Sequence, residues 1–406
     1  MENLFRLESH KRCISLMSKY FEDLKNTDKK IAWVTSVGPA EILQAFGFKV
    51  YFPEYHASLI GLMNKAVDYI PYANAIGYSH MICSYLTSDI GSYLKKETPL
   101  KELFNISEIP KPDVIVYNTN QCIDVQNWFN FYGREFGVPV IGITSPVNVV
   151  DEVTENLIKD MATQIRDMIP VLEKVSGKKF DIDRFKETLK ISYECTKVWK
   201  ECQYMRAHIP SPATYFDFLL LLPPAVVLRG LPEAVEFYRG LKEELQERID
   251  KGISGVENEK VRIYWEGMPI WGRVGMLSEL FNELGAAVVA ATYFHAWVFE
   301  SFKDYNKEPF ESMARAYLEV SVARSENVKE EMFSNWMKEF KVDGIIFHES
   351  MTCPYVSNSG YGLPKRLQEK TGIPYLIING DLNDMRLFSD EQARTSIETF
   401  VEQIRG

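Results

Sequence analysis

Three cysteines, Cys83, Cys122 and Cys353, occupy similar places in the local pattern although they lie far apart in the sequence. Each follows an apolar, strand-like run or precedes a helix-like segment. In an open α/β sheet, groups beyond the carboxyl ends of the strands converge on one crevice. This placement would suit ligands of one buried metal centre. None of the three belongs to a Cys-x-x-Cys pair, so spacing alone leaves open that they are separate buried thiols.

Two blocks of alternating strands and helices carry these cysteines. An N-terminal helix is predicted at about residues 3–26, before the first block. Each block contains four apolar runs separated by helix-length segments, which is the pattern of a parallel sheet. The predicted strands are 30–36, 49–52, 114–117 and 138–143 in the first block, and 261–265, 287–291, 344–347 and 375–378 in the second.

The segment between the two blocks is rich in charged, amphipathic stretches, at 155–175, 182–205 and 231–251, which predict a helical layer. The expected fold is therefore α/β, with two Rossmann-like parallel-sheet domains flanking a helical insert. The predicted domains are residues 1–150, which include the N-terminal helix, 151–257 and 258–406. The crevice between the two sheets is the expected binding site and the place for a metal centre.

The composition of the chain limits the classes of partner that it could bind. The 406 residues carry a formal net charge of -10, which disfavours nucleic acid and anionic membranes as partners. Residues 1–6 lack the basic start of a signal peptide. The most apolar stretch, 216–228, is too short to span a membrane and contains Pro223 and Pro224. We expect a cytoplasmic protein with reduced or metal-bound cysteines.

Neither of two common nucleotide-binding motifs is complete in this chain. The chain has no P-loop sequence, so ATP hydrolysis through that motif is not expected. A Gly-Tyr-Gly segment at 360–362 lacks the rest of a dinucleotide fingerprint, and a turn before a helix is the better interpretation.

Short blocks along the chain carry a family resemblance. They are Trp33-Val34-Thr35-Ser36 with Pro39 and Glu41, Phe52-Pro53-Glu54, Gly77-Tyr78-Ser79 through Cys83 and Tyr85, Asn118 through Cys122 with Trp128, Ser176-Gly177-Lys178-Lys179-Phe180-Asp181, Glu266-Gly267-Met268-Pro269, Tyr293 with His295-Ala296-Trp297, Asp343-Gly344, and Gly380-Asp381 with Gln392. Over nearly its whole length the chain resembles the 2-hydroxyacyl-CoA dehydratase / benzoyl-CoA reductase family. It is most similar to the dehydratase subunit that carries the substrate-binding cluster.

The resemblance implies a cofactor. In that family three cysteines hold a [4Fe-4S] cluster, and their positions match Cys83, Cys122 and Cys353. One iron then has no protein thiolate and can act as a Lewis acid, as an open catalytic zinc does.

The implied enzyme is a hydro-lyase that converts an (R)-2-hydroxyacyl-CoA to the 2-enoyl-CoA. A single electron reduces the thioester carbonyl to a ketyl radical, which expels the 2-hydroxyl. The implied partners are the acyl-CoA substrate, a related second subunit or a second copy of the chain, and an ATP-hydrolysing iron-sulfur activator. Such chemistry implies an oxygen-sensitive, anaerobic enzyme.

Two further residues match family positions near the substrate. Ser36 is expected to hydrogen-bond the thioester oxygen or an iron-bound water, and Glu54 to move protons at the open iron. The alternatives are a hydroxyl that caps the next helix and a solvated loop acid. His56 and His295 are weaker candidates, because a histidine beside aromatic residues is as often a packed group.

The chain also departs from the family pattern. It has Ser350-Met351-Thr352 where many relatives read Asn-Arg-Ser, and Thr87 where they have arginine. Losing both cations near the cluster or the CoA ester would alter the substrate or the redox potential. The acyl group, the choice between dehydration and reduction, and the identity of the partner subunit stay open.

Alternative functions stay open as well. Cys13, Cys195 and Cys202 are expected to pack in helices, but a second cubane in a double-cubane cluster is the sharper alternative. The enzyme could then be an ATP-driven reductase of the benzoyl-CoA reductase type, acting on an aromatic acyl-CoA or another small molecule. The non-enzymatic alternatives are an iron-sulfur electron carrier and a metal-free binding protein.

Overall fold

A computed structural model describes residues 7–406. The first residues of the predicted N-terminal helix lie outside this range, and so does the segment 1–6 on which the signal-peptide expectation rests. Helix α1 spans Glu8–Lys25. No helix within the described range combines the length and apolar character needed to cross a membrane.

The first sheet is entirely parallel, with the strand order β2-β1-β3-β4. Its strands are β1 Ile31–Val34, β2 Lys49–Tyr51, β3 Val114–Asn118 and β4 Val140–Ile143. All four predicted strands are confirmed, with ends that shift by up to two residues. The buried residues of β1 and of the first part of β3, 114–116, are all apolar because helices cover both faces of a parallel sheet.

The second sheet repeats this arrangement. It is also parallel, with the order β6-β5-β7-β8. Its strands are β5 Val261–Glu266, β6 Ala286–Ala291, β7 Gly344–Ser350 and β8 Tyr375–Gly380. Both sheets therefore have the same strand order: second, first, third and fourth strand of each half. The predicted α/β class with two Rossmann-like sheets is confirmed.

Helices pack around the two sheets. Those of the first half are α2 Ala40–Phe46, α3 Pro53–Leu62, α4 Ala66–Ala75, α5 Ser84–Lys95, α6 Leu100–Phe104 and α7 Asp124–Phe136. Those of the second half are α14 Val274–Glu283, α15 Thr292–His295, α16 Pro309–Leu318, α17 Glu326–Glu339, α18 Leu363–Thr371 and α19 Asp390–Arg405. The predicted turn at 360–362 does precede a helix, α18, with Gly362 in the left-handed region at φ +81°.

Between the two halves the chain is helical, as predicted. The helices are α8 Glu155–Asp167, α9 Ile169–Ser176, α10 Ile182–Tyr204, α11 Tyr215–Leu221, α12 Pro223–Val227 and α13 Pro232–Asp250. The single predicted stretch 155–175 is two helices, because Pro170, in the first turn of the second helix, has no N–H to continue the first.

The hydrophobic core is continuous across all three parts. Trp33 of the first sheet, Trp199 of α10 and Trp265 of the second sheet belong to one buried cluster. Helix α10 packs on α2 and α13, and α1 packs on α11, α12 and α13. The division at residues 150 and 257 stays a prediction.

Candidate active site

The strand order explains why distant residues meet. In each sheet the crevice lies between the first and third strands, where the chain crosses from one side of the sheet to the other. Ser36 and Cys122 follow β1 and β3, and Met268 and Cys353 follow β5 and β7. Residues from both crevices line a single cavity of about 650 Å³, so the two halves form one site.

Cys83, Cys122 and Cys353 all line this cavity and are partly buried. Burial raises the pKa of each thiol, and in each case the next cause is another member of the trio: Cys122 acts on Cys83, Cys353 on Cys122, and Cys83 on Cys353. The three sulfur atoms therefore face one cavity and lie close enough for their charges to interact. As free thiols they hold their protons, which a bound metal would displace.

The three thiols suit some metal groups better than others. Among residues 7–406, no group of three or more His, Cys, Asp or Glu side chains could hold a metal ion. A cubane differs because its protein thiolates bind separate iron atoms and stand farther apart. Three soft thiol ligands around one cavity fit that kind of group.

A buried carboxylate, Asp381, joins the segments that carry two of the cysteines. It accepts hydrogen bonds from Ser84 Oγ, from Thr352 N at 3.0 Å and from Thr352 Oγ1 at 2.6 Å. Ser84 N also donates to Thr352 Oγ1 at 3.1 Å. Ser84 follows Cys83 and Thr352 precedes Cys353, so Asp381 fixes two cysteines from different halves of the molecule.

Two more contacts hold Cys83. Its backbone N donates to Asp124 Oδ2 at 3.3 Å, which connects it to the start of α7, just after Cys122. Thr87 Oγ1 donates to the Cys83 carbonyl oxygen at 3.2 Å. No lysine or arginine is among the cavity-lining residues of the described chain.

The structure brings Ser36 and Glu54 into direct contact in the cavity wall. The Glu54 carboxylate accepts hydrogen bonds from Ser36 N and from Gln121 Nε2. Burial raises the pKa of Glu54, opposed by these bonds and by the charge of Arg229. Glu54 is thus not a solvated loop acid. Ser36 does not cap the next helix either, since α2 has Pro39 at its N-cap position and no side-chain cap.

A buried ion pair supports the Ser36 turn from behind. Arg229 Nη2 donates to the Gly38 carbonyl oxygen at 2.9 Å, and its Nε lies 3.7 Å from Glu41 Oε1. Tyr317 OH also donates to Glu41, at 2.6 Å. A side chain at Gly38 would meet Thr35 Oγ1 at 2.5 Å, which explains the glycine in this tight turn.

Aromatic residues form the wall beside Glu54. Tyr85, Tyr293 and Trp271 line the cavity, and Trp271 Nε1 donates to Tyr85 OH. Burial raises the pKa of both tyrosines, and the Glu54 charge raises each further. No role for Tyr85, Tyr293, Gln121 or Asp381 follows from the sequence alone, although all four lie in the blocks that carry the family resemblance.

The two weaker histidine candidates do not line the cavity. His56 is buried between Asp89 Oδ1 at 2.5 Å and Thr98 Oγ1 at 2.8 Å. His295 stacks on the ring of Trp336, with centroids 3.8 Å apart. Both are packed groups, as the alternative interpretation stated.

The other three cysteines lie in helices outside the two sheets. Cys195 and Cys202 are buried in α10 and do not line the cavity, whereas Cys13 of α1 is buried and lines it. Cys202 Sγ donates to the Tyr238 carbonyl oxygen at 3.5 Å, and charges on all three thiols raise the pKa of Tyr238, after burial. They surround this tyrosine, which agrees with core packing.

The fold and cavity define a two-sheet α/β protein with a thiol-lined site between its halves. The chain belongs to the family described as 2-hydroxyglutaryl-CoA dehydratase, D-component, whose family model matches residues 35–404.

Individual relatives agree. The chain is 31% identical over 384 residues to the (R)-2-hydroxyisocaproyl-CoA dehydratase alpha subunit of Clostridioides difficile, covering 93% of this chain and 91% of that one. It is 30% identical over 388 residues to the (R)-phenyllactyl-CoA dehydratase alpha subunit of Clostridium sporogenes, covering 93% and 90%. The beta subunit of the same C. sporogenes enzyme is 24% identical over 279 residues, covering 68% and 71%.

Proposed function

We propose that this chain is a subunit of a 2-hydroxyacyl-CoA dehydratase that converts an (R)-2-hydroxyacyl-CoA to the 2-enoyl-CoA. In this proposal Cys83, Cys122 and Cys353 hold a [4Fe-4S] cluster. The observation that carries it is the meeting of three thiols from both halves at one cavity, with Ser36 and Glu54 in its wall. Family membership supports the reaction class.

The three cysteines supply only three of the four thiolates that a cubane can take. The cluster would therefore supply one iron as a Lewis acid for the substrate hydroxyl. Asp381 would hold the Cys83 and Cys353 segments at a fixed separation through Ser84 and Thr352. Such indirect partners orient metal ligands and tune their affinity.

Ser36 and Glu54 would handle the substrate. The Ser36 hydroxyl would donate to the thioester oxygen. Glu54 would carry a proton to the leaving hydroxyl or from C3, because a raised pKa makes its carboxylate a stronger base and lets it hold a proton. Gln121 would keep the Glu54 carboxylate oriented between the two thiol-bearing loops.

The walls of the cavity would protect a reactive intermediate. The proposed mechanism passes through a ketyl radical after one-electron activation, and water would quench such a species. Trp271, Tyr293 and Trp297 line the cavity and are largely apolar. Closing such walls over the thioester would exclude water from the reaction.

The proposed partners follow from the same chemistry. Similarity to an alpha and a beta subunit of one enzyme supports pairing with a related second subunit. An ATP-hydrolysing iron-sulfur activator would supply the first electron, since the chain has no P-loop. Reduced thiols fit a cytoplasmic location.

The test is to purify the protein without oxygen, measure iron and acid-labile sulfide per chain, and then assay 2-hydroxyacyl-CoA esters with a reduced activator. About four irons, with one electron serving many turnovers, is the expected result. Consumption of electrons with each product would indicate a reductase, and about eight irons a double cubane. No iron in protein made under iron-replete conditions would overturn the proposal.

A further inference from the structure

The cavity extends away from the thiols into a region that we call the apolar arm. Four helices, α1, α3, α6 and α12, and one residue between α11 and α12 enclose it. Helix α1 packs on α6 and α12, and α12 packs on α3. The residues that define the arm are Cys13, Met17, Leu59, Phe104, Leu222 and Val226. Five of the six side chains are buried, and Phe104 is partly buried.

The arm begins beside the proposed reaction site. Glu54, which bonds Ser36, is followed in α3 by Tyr55, and both line the cavity. Tyr55 and Cys13 both line this part of the cavity. Burial raises the pKa of Tyr55, and the second cause is the charge of Cys13, so these two residues are close. A substrate carbonyl at Ser36 would thus place its acyl side chain near the entrance of the arm.

No cation faces the arm. The cavity-lining residues of the described chain include no lysine or arginine. The one histidine there, His10, has its Nδ1 engaged with Leu7 N at 3.3 Å and its Nε2 with the Asp217 carbonyl oxygen at 3.2 Å. A carboxylate bound in the arm would therefore lose its hydration without gaining a charged partner, which is strongly unfavourable.

The arm also suits a hydrocarbon better than the pantetheine part of CoA. Pantetheine carries amide groups that need hydrogen-bond partners when buried. The arm-defining residues offer thioether, thiol, aliphatic and aromatic groups, and the nearby Ser58 hydroxyl already donates to the Tyr55 carbonyl oxygen at 2.7 Å. The phosphates of CoA would likewise find no cation there.

We propose that the apolar arm is the acyl pocket, and that this chain prefers 2-hydroxyacyl-CoA esters with a bulky, uncharged side chain, branched aliphatic or aromatic. This inference rests on the proposed function. The predicted preference distinguishes this chain from any member of the family whose substrate has an acyl side chain that ends in a carboxylate.

Binding can be measured apart from turnover. Calorimetry on anaerobically purified protein without activator would compare three esters: 2-hydroxyisocaproyl-CoA, lactoyl-CoA and 2-hydroxyglutaryl-CoA. The isobutyl side chain has three more carbons than the methyl group of lactoyl-CoA, so burial should make its Kd about 50-fold lower. The 2-hydroxyglutaryl ester should bind at least about 100-fold more weakly than the isobutyl ester.

A variant that fills the arm sharpens the test. Val226→Phe should remove the preference for the isobutyl ester and change the Kd of lactoyl-CoA by less than about twofold. Val227→Ile is the matched control, because Val227 is buried in the same helix but does not line the cavity, and it should keep the preference. If Val226→Phe does not fold, Met17→Ala widens the arm and should favour phenyllactyl-CoA over 2-hydroxyisocaproyl-CoA by about fivefold.

The outcomes separate the two proposals. If Val226→Phe weakened all three esters equally, the arm would hold the CoA portion and the acyl assignment would be wrong. Equal affinity of the wild-type protein for 2-hydroxyglutaryl-CoA and the isobutyl ester would also overturn it. If no acyl-CoA bound the wild-type protein, the proposed function itself would fail.

Discussion

The two α/β halves share one strand order but contribute differently to the site. The first half supplies Ser36, Glu54 and two of the three cysteines, whereas the second supplies Cys353 and the carboxylate of Asp381. A common topology therefore determines where a crevice forms and leaves its chemistry to the loops. The first half holds the groups proposed to react, and the second holds groups that position them.

The loop of Cys353 shows this positioning role clearly. Glu266, at the end of β5, accepts hydrogen bonds from Thr292 Oγ1 and from Asn358 Nδ2, the latter at 2.6 Å. Lys329 Nζ donates to Asn358 Oδ1 at 3.0 Å. Burial raises the pKa of Glu266 to about 7 and lowers that of Lys329 to about 8. Glu266 therefore gains a proton, and Lys329 loses one, closer to neutral pH than in water. This is expected for ionisable side chains that fix a loop in the interior, because burial disfavours the charged form.

The largest effect should come from removing a proposed ligand. Cys353→Ala should lose most of its iron and at least about 100-fold in activity, because even indirect partners of metal ligands cost 10–100-fold. Cys195→Ala is the matched control: that thiol is buried but lies outside the cavity, so iron content should not change. Retention of full iron by Cys353→Ala would show that the ligand set is wrong.

Glu54→Gln tests the reacting half. Loss of a proton-transferring carboxylate should lower kcat by about 10²–10⁴-fold. Iron content should stay at the wild-type level, because Glu54 bonds Ser36 and Gln121 and not a cysteine backbone. The measurement is kcat together with iron per chain, and a variant that kept wild-type kcat would exclude a role in proton transfer.

Asp381→Asn tests the positioning half. It should weaken cluster binding, which Glu54→Gln should leave unchanged. An amide cannot accept all the hydrogen bonds that Ser84 and Thr352 donate to the carboxylate, so the two cysteine segments should loosen. We expect cluster affinity to fall by about 10–100-fold, measured as the rate of iron loss to a chelator. Asp390→Asn, an exposed residue paired with Arg273, is the control. Equal rates of iron loss in both variants would show that Asp381 does not stabilise the cluster.

The smallest effect concerns pH. Glu266 has a pKa near 7 in the folded protein and an ordinary value of 4.5, so the folded state binds its proton more tightly. Its stabilising contribution is complete below pH 4.5 and is lost as the pH rises through 7, up to about 3 kcal/mol. Glu266→Gln should therefore show a smaller fall in thermal midpoint between pH 5 and pH 8. A slope equal to that of the wild-type protein would contradict the pKa shift.

Much of the fold could be predicted from the sequence because strands of a parallel sheet are buried on both faces and form short apolar runs. All eight predicted strands, from 30–36 to 375–378, are present. The error at 155–175 was local, since the charged amphipathic pattern continues across Pro170 while the helix does not.

The site was less accessible from the sequence. Residue types and family resemblance indicated the three cysteines, Ser36 and Glu54. The Ser36–Glu54 contact depends on how two loops at the same sheet edge pack, and the role of Asp381 depends on the two halves meeting. The apolar arm depends in the same way on helices that are far apart in the chain, so only the assembled structure reveals it.

The central claim is that Cys83, Cys122 and Cys353 hold one iron-sulfur cluster between the two halves. Anomalous scattering at the iron absorption edge, from crystals grown without oxygen, would test it most directly. We predict a single cluster of iron atoms in the cavity, bonded to the sulfur atoms of these three cysteines. Iron bound instead among Cys13, Cys195 and Cys202, or no iron in protein grown with ample iron, would contradict the account.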